Sequence, residues 1–217
     1  MTGDKKQIAL EAREQEAARL FSPSAARNRD PIRDAFLKHM PRRGEVIEVG
    51  SGTGEHVVHL AAAAPLLTFH PGDPDAASRA SIDAWAAHLN LKNIERAHSA
   101  DVSAANWHEA FGPCEGVVSI NMIHIAPFEA ACGLIAGASI LLRGGGRLFL
   151  YGPFSRHGAH TAPSNEAFDA SLKSRDQRWG VRDLELEIIP LAKDAGLDLV
   201  AIEEMPANNL CVIFEKT

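Results

Sequence analysis

The residues that could do chemistry begin at "EVGSGTGE", Glu48 to Glu55, where an apolar run turns into three glycines at alternate positions and then into a helical pattern. Glycine permits a tight turn and a close backbone approach to a ligand. A dinucleotide fingerprint would read G-x-G-x-x-G, but Glu55 holds the sixth place, where a pyrophosphate would meet a carboxylate. The spacing found is E-x-G-x-G-x-G, with Glu48, Gly50, Ser51, Gly52 and Gly54 around one turn. The next apolar run closes on "FHPGDPD", which brings Asp73 to the carboxyl end of a second strand, where a carboxylate can accept from ribose hydroxyls. Asp75 is better placed to cap the following helix. His56 and His59 lie three apart on a helix, but no third ligand accompanies them, so no metal is expected.

The elements that must position these residues follow an alternating pattern of short apolar runs and helical stretches, the signature of a parallel sheet with crossover helices. Strands are predicted at "GEVIEVG", "LLTFHPG", "IERAHSA", "GVVSINM" and "GRLFLYG", with helices near 54–64, 75–89, 104–110 and 127–142. The last apolar runs, "LDLVAIEEMPANNLCVIFEKT", are broken by a Pro-Ala-Asn-Asn turn and predict an antiparallel hairpin. Ahead of the sheet, residues 4–21 read as an amphipathic helix, "SPSAARNRDPI" as a connector, and "RDAFLKHM" as a helix ended by Pro41. The division expected is an amino-terminal helix and possible lid over residues 1–24, then one domain over 25–217.

The glycine spacing resembles the first motif of class I S-adenosylmethionine-dependent methyltransferases, and the element order resembles their seven-stranded, Rossmann-like α/β fold: a mostly parallel sheet with a carboxyl-terminal antiparallel hairpin. That resemblance implies S-adenosyl-L-methionine as cofactor, its methionine end against the turn and Glu48, its ribose at Asp73, and its adenine amino group at Asp101 in "SADV". Over almost all of the chain from Ala25, the strings "AARNRDPI", "IEVGSGTGEH", "INMIHIAP", "YGPF", "SNEAFDASLKSRD", "WGVRD" and "MPANN" resemble the family of methyltransferase-like protein 26 and its bacterial relatives. In class I enzymes the segment after the fourth strand passes beside the sulfonium. Here it is "INMIHI", which lacks the N-P-P-Y form used on planar amides and ring nitrogens.

Within that segment Asn121 is a candidate cofactor contact. His124 is the candidate general base, because an ordinary imidazole titrates near neutrality, at about 6.5. Tyr151, at the end of the fifth strand, and Asp169, on a helix that could cover the acceptor, complete the catalytic candidates. Arg175, Trp179 and Arg182 offer cations and an aromatic wall to a small polar acceptor.

The net charge of -6 in 217 residues disfavours a large nucleic-acid substrate, which draws affinity from clustered Lys and Arg. The three cysteines are scattered, which fits a reducing, cytoplasmic setting. The charged start of the chain is unlike a signal peptide, and no run approaches the roughly 20 apolar residues of a membrane span. The function expected is transfer of a methyl group to a small polar acceptor by in-line displacement. The rivals are a non-catalytic sensor of the cofactor or its homocysteine product, an RNA methyltransferase, and an NAD-dependent oxidoreductase disfavoured by Glu55. The oligomeric state is left open.

Overall fold

A computed structural model describes residues 13–217. Its first elements form a hairpin, β1 (Glu14–Glu16) against β2 (Arg19–Phe21), turned at Ala17 with φ +55°. This corrects the expected helix over its described part; residues 1–12 lie outside the described residues. Composition favoured a helix, but tertiary partners capture the extended backbone instead. Leu20 N donates to Ser81 Oγ at 2.8 Å, and Trp85 Nε1 donates to Leu20 O at 3.0 Å. Phe21 packs edge-on to Trp85, with the Arg19 guanidinium 4.8 Å above the indole.

The expected connector is also corrected, since α1 runs from Pro23 to His39. Ser22 caps it by accepting from Ala25 N, and Pro23 occupies the first turn, where its missing amide is not needed. Pro31 sits inside the helix at the cost of a single backbone bond.

The sheet follows the predicted alternation. β3 (Gly44–Val49) leads to α2 (Glu55–Ala63), β4 (Leu67–Gly72) to α3 (Ala76–His88), and β5 (Cys114–Ile120) to α4 (Phe128–Leu141). β6 (Leu142–Gly152) is followed by a small three-stranded sheet of β7 (Phe154–Arg156), β8 (Ala159–His160) and β9 (Arg182–Asp183), interrupted by α5 (Pro163–Arg175). α6 (Ile189–Asp194), β10 (Leu197–Met205) and β11 (Asn209–Lys216) finish the described chain.

The main sheet has the order β10-β11-β6-β5-β3-β4; the four strands β4-β3-β5-β6 are parallel, and β11 and β10 add on antiparallel. Beyond β4 the expected strand "IERAHSA" is reduced to two isolated parallel bridges, Phe69 with Ile94 and Gly72 with His98. The expected helix at 104–110 is a single 3-10 turn, Trp107–Ala110.

Side chains alternate across the strands, so the sheet has two cores. Val46, Val118, Phe149 and Ile213 face α1, α2 and α3, with Ile32, Phe36, Leu60 and Ile82 packed against them. Ile47, Val117, Leu148 and Val212 face α4 and α6, with Leu134, Ala138 and Ala192 opposite. Order reverses between β3 and β5, and in open α/β sheets ligands bind at that switch point, outside the carboxyl ends of the strands. No helix among the described residues is long and apolar enough to cross a membrane.

Candidate active site

The carboxyl end of β3 carries the glycine turn. Gly50, Gly52 and Gly54 all have positive φ (+69°, +55° and +88°), a conformation other residues enter at a cost. Space adds to that requirement at two of them. A Cβ on Gly54 would lie 2.8 Å from Ile82 Cα, and one on Gly50 would lie 2.6 Å from Met122 Cγ. At Gly52 it would face open ground, with Arg13 Nη2 at 3.6 Å as its nearest neighbour. The turn therefore packs tightly on both flanks and presents bare backbone in the middle.

Two buried carboxylates flank it. Asp73 Oδ2 accepts from Gly52 N at 2.9 Å and Oδ1 from Asp75 N at 2.9 Å, leaving lone pairs on both oxygens. Burial raises the Asp73 carboxyl above its ordinary value. Glu48 is 1% exposed, and its Oε2 has no hydrogen-bond partner among the described residues. Burial first, and the nearby Asp73 charge second, push it up to about 8. An acid held neutral until its counterion arrives is costly unless a cationic ligand is meant to occupy the place.

Glu55 explains itself structurally. Its Oε2 accepts from Thr53 Oγ1 at 3.0 Å and from Ser22 N at 2.6 Å, tying the start of α1 to the start of α2. Ser81 Oγ donates to Thr53 O at 2.7 Å while receiving Leu20 N, so the hairpin is latched to the same turn. Ser51 Oγ donates to Glu48 O at 3.1 Å and closes the turn from within. Asp75 caps α3 as expected, accepting from Ser78 N at 2.8 Å. Asp101 is exposed, and its Oδ1 accepts from Ser103 N at 2.9 Å within its own loop. His56 is half-buried on α2, and His59 pairs with Asp30 of α1 at 2.8 Å, so these two serve helix packing.

The second cluster lies after β5. Asn121, with φ +57°, donates its amide to Tyr151 O at 2.8 Å, which holds the loop 121–127 over the end of β6. His124 is 1% exposed, edge-on to Phe154 with ring centroids 5.1 Å apart. A Cβ on Gly152 would stand 2.4 Å from His124 Nε2 and 3.4 Å from Asn121 Oδ1, so that glycine makes room for both. Neither ring nitrogen of His124 has a hydrogen-bond partner among the described residues. Burial, then the Arg182 charge, lowers the imidazole to about 3. The expectation of a near-neutral histidine is thereby corrected: His124 is an uncharged ring throughout the physiological range.

Three further expectations change. Tyr151 is 3% exposed and belongs to the core facing α1, whereas its neighbour Gly152 faces His124; alternation along the strand turns the phenol to the face opposite His124. Arg182, expected at the acceptor, donates Nε to Ile123 O at 3.0 Å and Nη2 to Ala126 O at 2.6 Å and Arg178 O at 3.1 Å. Its guanidinium thus positions the His124 loop, with Phe128 beneath it. Asp169 is pinned, Oδ1 accepting from Val181 N at 2.8 Å and Oδ2 from Lys173 Nζ at 2.6 Å. Burial works to raise its pKa, but the Lys173 and Val181 bonds outweigh it, so the carboxyl is held ionised and is a weaker base than an ordinary aspartate.

Gly180 joins these parts. Its amide donates to His124 O at 3.0 Å, and a Cβ there would meet Asp169 Oδ1 at 2.9 Å. Beside it, a cleft of about 300 Å³ is lined by Ser155, His160, Asp169, Lys173, Asp183 and Glu187 among others. Trp179 is half-buried next to this junction, and Arg175 is exposed on the last turn of α5. Another hollow, of about 370 Å³, lies at the opposite end of β3 and β4, around Glu45, Thr68 and His70, far from this chemistry. Among the described residues, no group of three or more His, Cys, Asp or Glu side chains could hold a metal ion.

Several solved methyltransferase structures share this fold. An O-methyltransferase family 2 protein from Planctomyces limnophilus, solved with apigenin, superposes with TM-score 0.73 at 18% identity, over 89% of this chain and 60% of that one. An O-methyltransferase family protein from Burkholderia thailandensis gives TM-score 0.72 at 18% identity, over 87% and 59%. CalO1, a methyltransferase of calicheamicin biosynthesis in its S-adenosylhomocysteine-bound form, gives 0.69 at 18%, over 89% and 54%. The chain thus spans little more than half the length of these proteins. Residues 19–216 match the family described as "Protein of unknown function (DUF938)", and the chain belongs to that family.

Proposed function

We propose that this chain is a methyltransferase that uses S-adenosyl-L-methionine to methylate a small polar acceptor. The observation that carries the reading is the buried carboxyl of Glu48, whose Oε2 has no partner among the described residues, across the glycine turn from Asp73. The residues fit the cofactor: an acid for its ammonium, a carboxylate with spare lone pairs for its ribose, and bare backbone at Gly52 between them. Asp101 is the candidate for the adenine amino group and Asn121 for the methionine side. When bound, the cofactor supplies a methyl group on a good leaving group, so the chain's task is alignment and exclusion of water.

His124 faces that task as a neutral ring. It can accept a hydrogen bond from an acceptor hydroxyl or amine and orient the lone pair, with Arg182 and Gly180 holding its loop in place. Replacing His124 by Leu should lower turnover about a hundredfold or more while leaving cofactor affinity within threefold, as read by single-turnover kinetics and calorimetry. Equal losses in both would favour a structural role, unchanged turnover would remove His124 from the chemistry, and cofactor binding without turnover in the parent would favour the sensor. The low pKa of His124 also predicts no loss of kcat/KM centred near pH 6.5.

The acidic lining of the cleft, together with the net charge of -6, favours a small acceptor over RNA. Kinship with methyltransferase-like protein 26 and a cytoplasmic setting belong to the same reading. The lid also remains part of it, now as an arm rather than a helix. Arg13 lies against Gly52, and its Nη1 is 3.4 Å from Ser78 Oγ. Removing residues 1–21 should raise the acceptor KM severalfold; an unchanged KM would remove the lid from the account.

A further inference from the structure

We propose that Trp107 is a positioning residue for the base of the cofactor: wedged into α4, it seats the loop that carries Asp101 and so sets where that carboxylate meets the adenine amino group. The inference rests on the cofactor reading above and adds to it a buried residue that acts only through Asp101.

The loop from Asp101 to Ala110 holds a single 3-10 turn, Trp107–Ala110, and is mostly exposed. Two of its side chains are buried, Val102 and Trp107, and both belong to the core that faces α4. The helix is shaped to receive them. Its two glycines, Gly133 and Gly137, stand four residues apart on one face, and each meets this loop. A Cβ on Gly133 would overlap Val102 O and lie 3.1 Å from Val102 C; one on Gly137 would run into the Trp107 indole, 2.5 Å from Nε1. The indole is also bonded there, with Nε1 donating to Gly133 O at 2.9 Å. Glycine weakens a helix interior, and α4 carries it only where the loop comes to rest.

From the wedge, two short turns lead back to Asp101. Trp107 N donates to Ala104 O at 3.3 Å, and Ala104 N donates to Asp101 O at 2.9 Å. Ser103 N donates to Asp101 Oδ1 at 2.9 Å, which orients the carboxylate and leaves Oδ2 for a ligand. The residues on either side of Asp101 are seated on different elements. Ala100 rests on the end of β4, where a Cβ on Gly72 would stand 2.9 Å from Ala100 Cβ, while Val102 rests on Gly133 of α4. Asp73, the next residue after Gly72, donates its amide to His98 O at 3.1 Å, so the two carboxylates are held as neighbours at the rim of one site. A hydrogen bond weakens steeply as its angle closes, so a loop released from α4 loses the base contact with no change at Asp73 or the glycine turn.

The test titrates the full-length protein with S-adenosylhomocysteine and with S-inosylhomocysteine, which has an oxo group in place of the adenine amino group. The parent should prefer S-adenosylhomocysteine by about tenfold or more. Trp107→Ala should lower that affinity by about tenfold and change S-inosylhomocysteine less than about threefold, so the preference collapses. Trp107→Phe keeps a ring in the notch without the Nε1 donor and should move the preference in the same direction by about threefold; it carries the test if the alanine variant does not fold. In an Asp101→Ala background, either substitution should cost less than about twofold, because the two residues act as one unit. Equal losses for both ligands, or a loss undiminished in the Asp101→Ala background, would make Trp107 a residue of stability alone, and unchanged affinities would remove it; each overturns the proposal and leaves the cofactor reading intact. A parent that binds the two ligands equally would remove the Asp101 contact and the proposal with it. A parent that binds neither would overturn the cofactor reading itself.

Discussion

Glu48→Gln should bind S-adenosylmethionine about a hundredfold more weakly than the parent, roughly 2.7 kcal/mol, and yet melt at a higher temperature. Both effects come from one buried carboxyl held up to about 8. Its unfolded value is the ordinary 4.5, so between about 4.5 and 8 the native state binds more protons than the unfolded state. Stability therefore falls as pH rises through that window, and the full penalty stands above it. At about 1.4 kcal/mol per pKa unit, the penalty is on the order of 5 kcal/mol. The glutamine variant removes it: the difference in Tm should be near zero at pH 4.5 and reach about 5 °C or more above pH 8. Binding carries its own signature. Pairing needs an ionised Glu48 and a protonated α-amino group, whose ordinary pKa is also about 8, so affinity should peak near there and fall on both sides. The glutamine variant should lose the acid limb. A flat pH profile in the parent, or a lower Tm in the variant, would remove Glu48 from the role assigned to it.

The second large effect is expected at Arg182, which touches no ligand in this account. Arg182→Met keeps the stem over Phe128 but leaves the carbonyls of Ile123, Ala126 and Arg178 without their donor. Buried carbonyls without partners cost about 1–3 kcal/mol each, and relaxation should hold the total to roughly 3 to 5 kcal/mol. The melting temperature should fall by about 8 °C or more. Because the loop carries His124, turnover should fall about a hundredfold from misplacement alone. Affinity for S-adenosylhomocysteine should fall only severalfold, because Glu48 and Asp73 hang on different elements and Asn121 alone sits on the loop that Arg182 braces. A stable variant with impaired acceptor KM would restore Arg182 to the acceptor-binding role that sequence first suggested.

What could be read from the sequence, and what could not, follows from where the information lies. β3 to β6, the closing hairpin and the glycine turn are local patterns: apolar runs, glycine spacing and turn residues, each sufficient within about ten residues. The amino-terminal hairpin was not legible, because "EQEAARLF" has helical composition and is extended only through Ser81 and Trp85, some 60 residues away. α1 was misread because Pro23 and Pro31 look like breakers, although the first is a helix-start residue and the second is tolerated. The strand "IERAHSA" lies at the sheet edge, and its pairing stops at two bridges.

At the site, the motif residues Glu48, Gly50, Ser51, Gly52, Gly54 and Asp73 converge as their spacing implied. The others depended on facts that no motif carries. Burial decides that His124 is neutral, alternation along β6 turns Tyr151 away, and the direction of the Arg182 side chain makes it a loop brace. Gly152 and Gly180 could have been suspected as glycines beside candidate residues, yet their use is steric and appears only in three dimensions.

The central claim, that the glycine turn with its two carboxylates is a cofactor site, is tested most directly by calorimetric titration of the protein at pH 8 with S-adenosylmethionine and with S-adenosylhomocysteine. The account predicts saturable one-to-one binding of both in the micromolar range, about -8 kcal/mol. Absence of binding by either compound to a folded protein would contradict it.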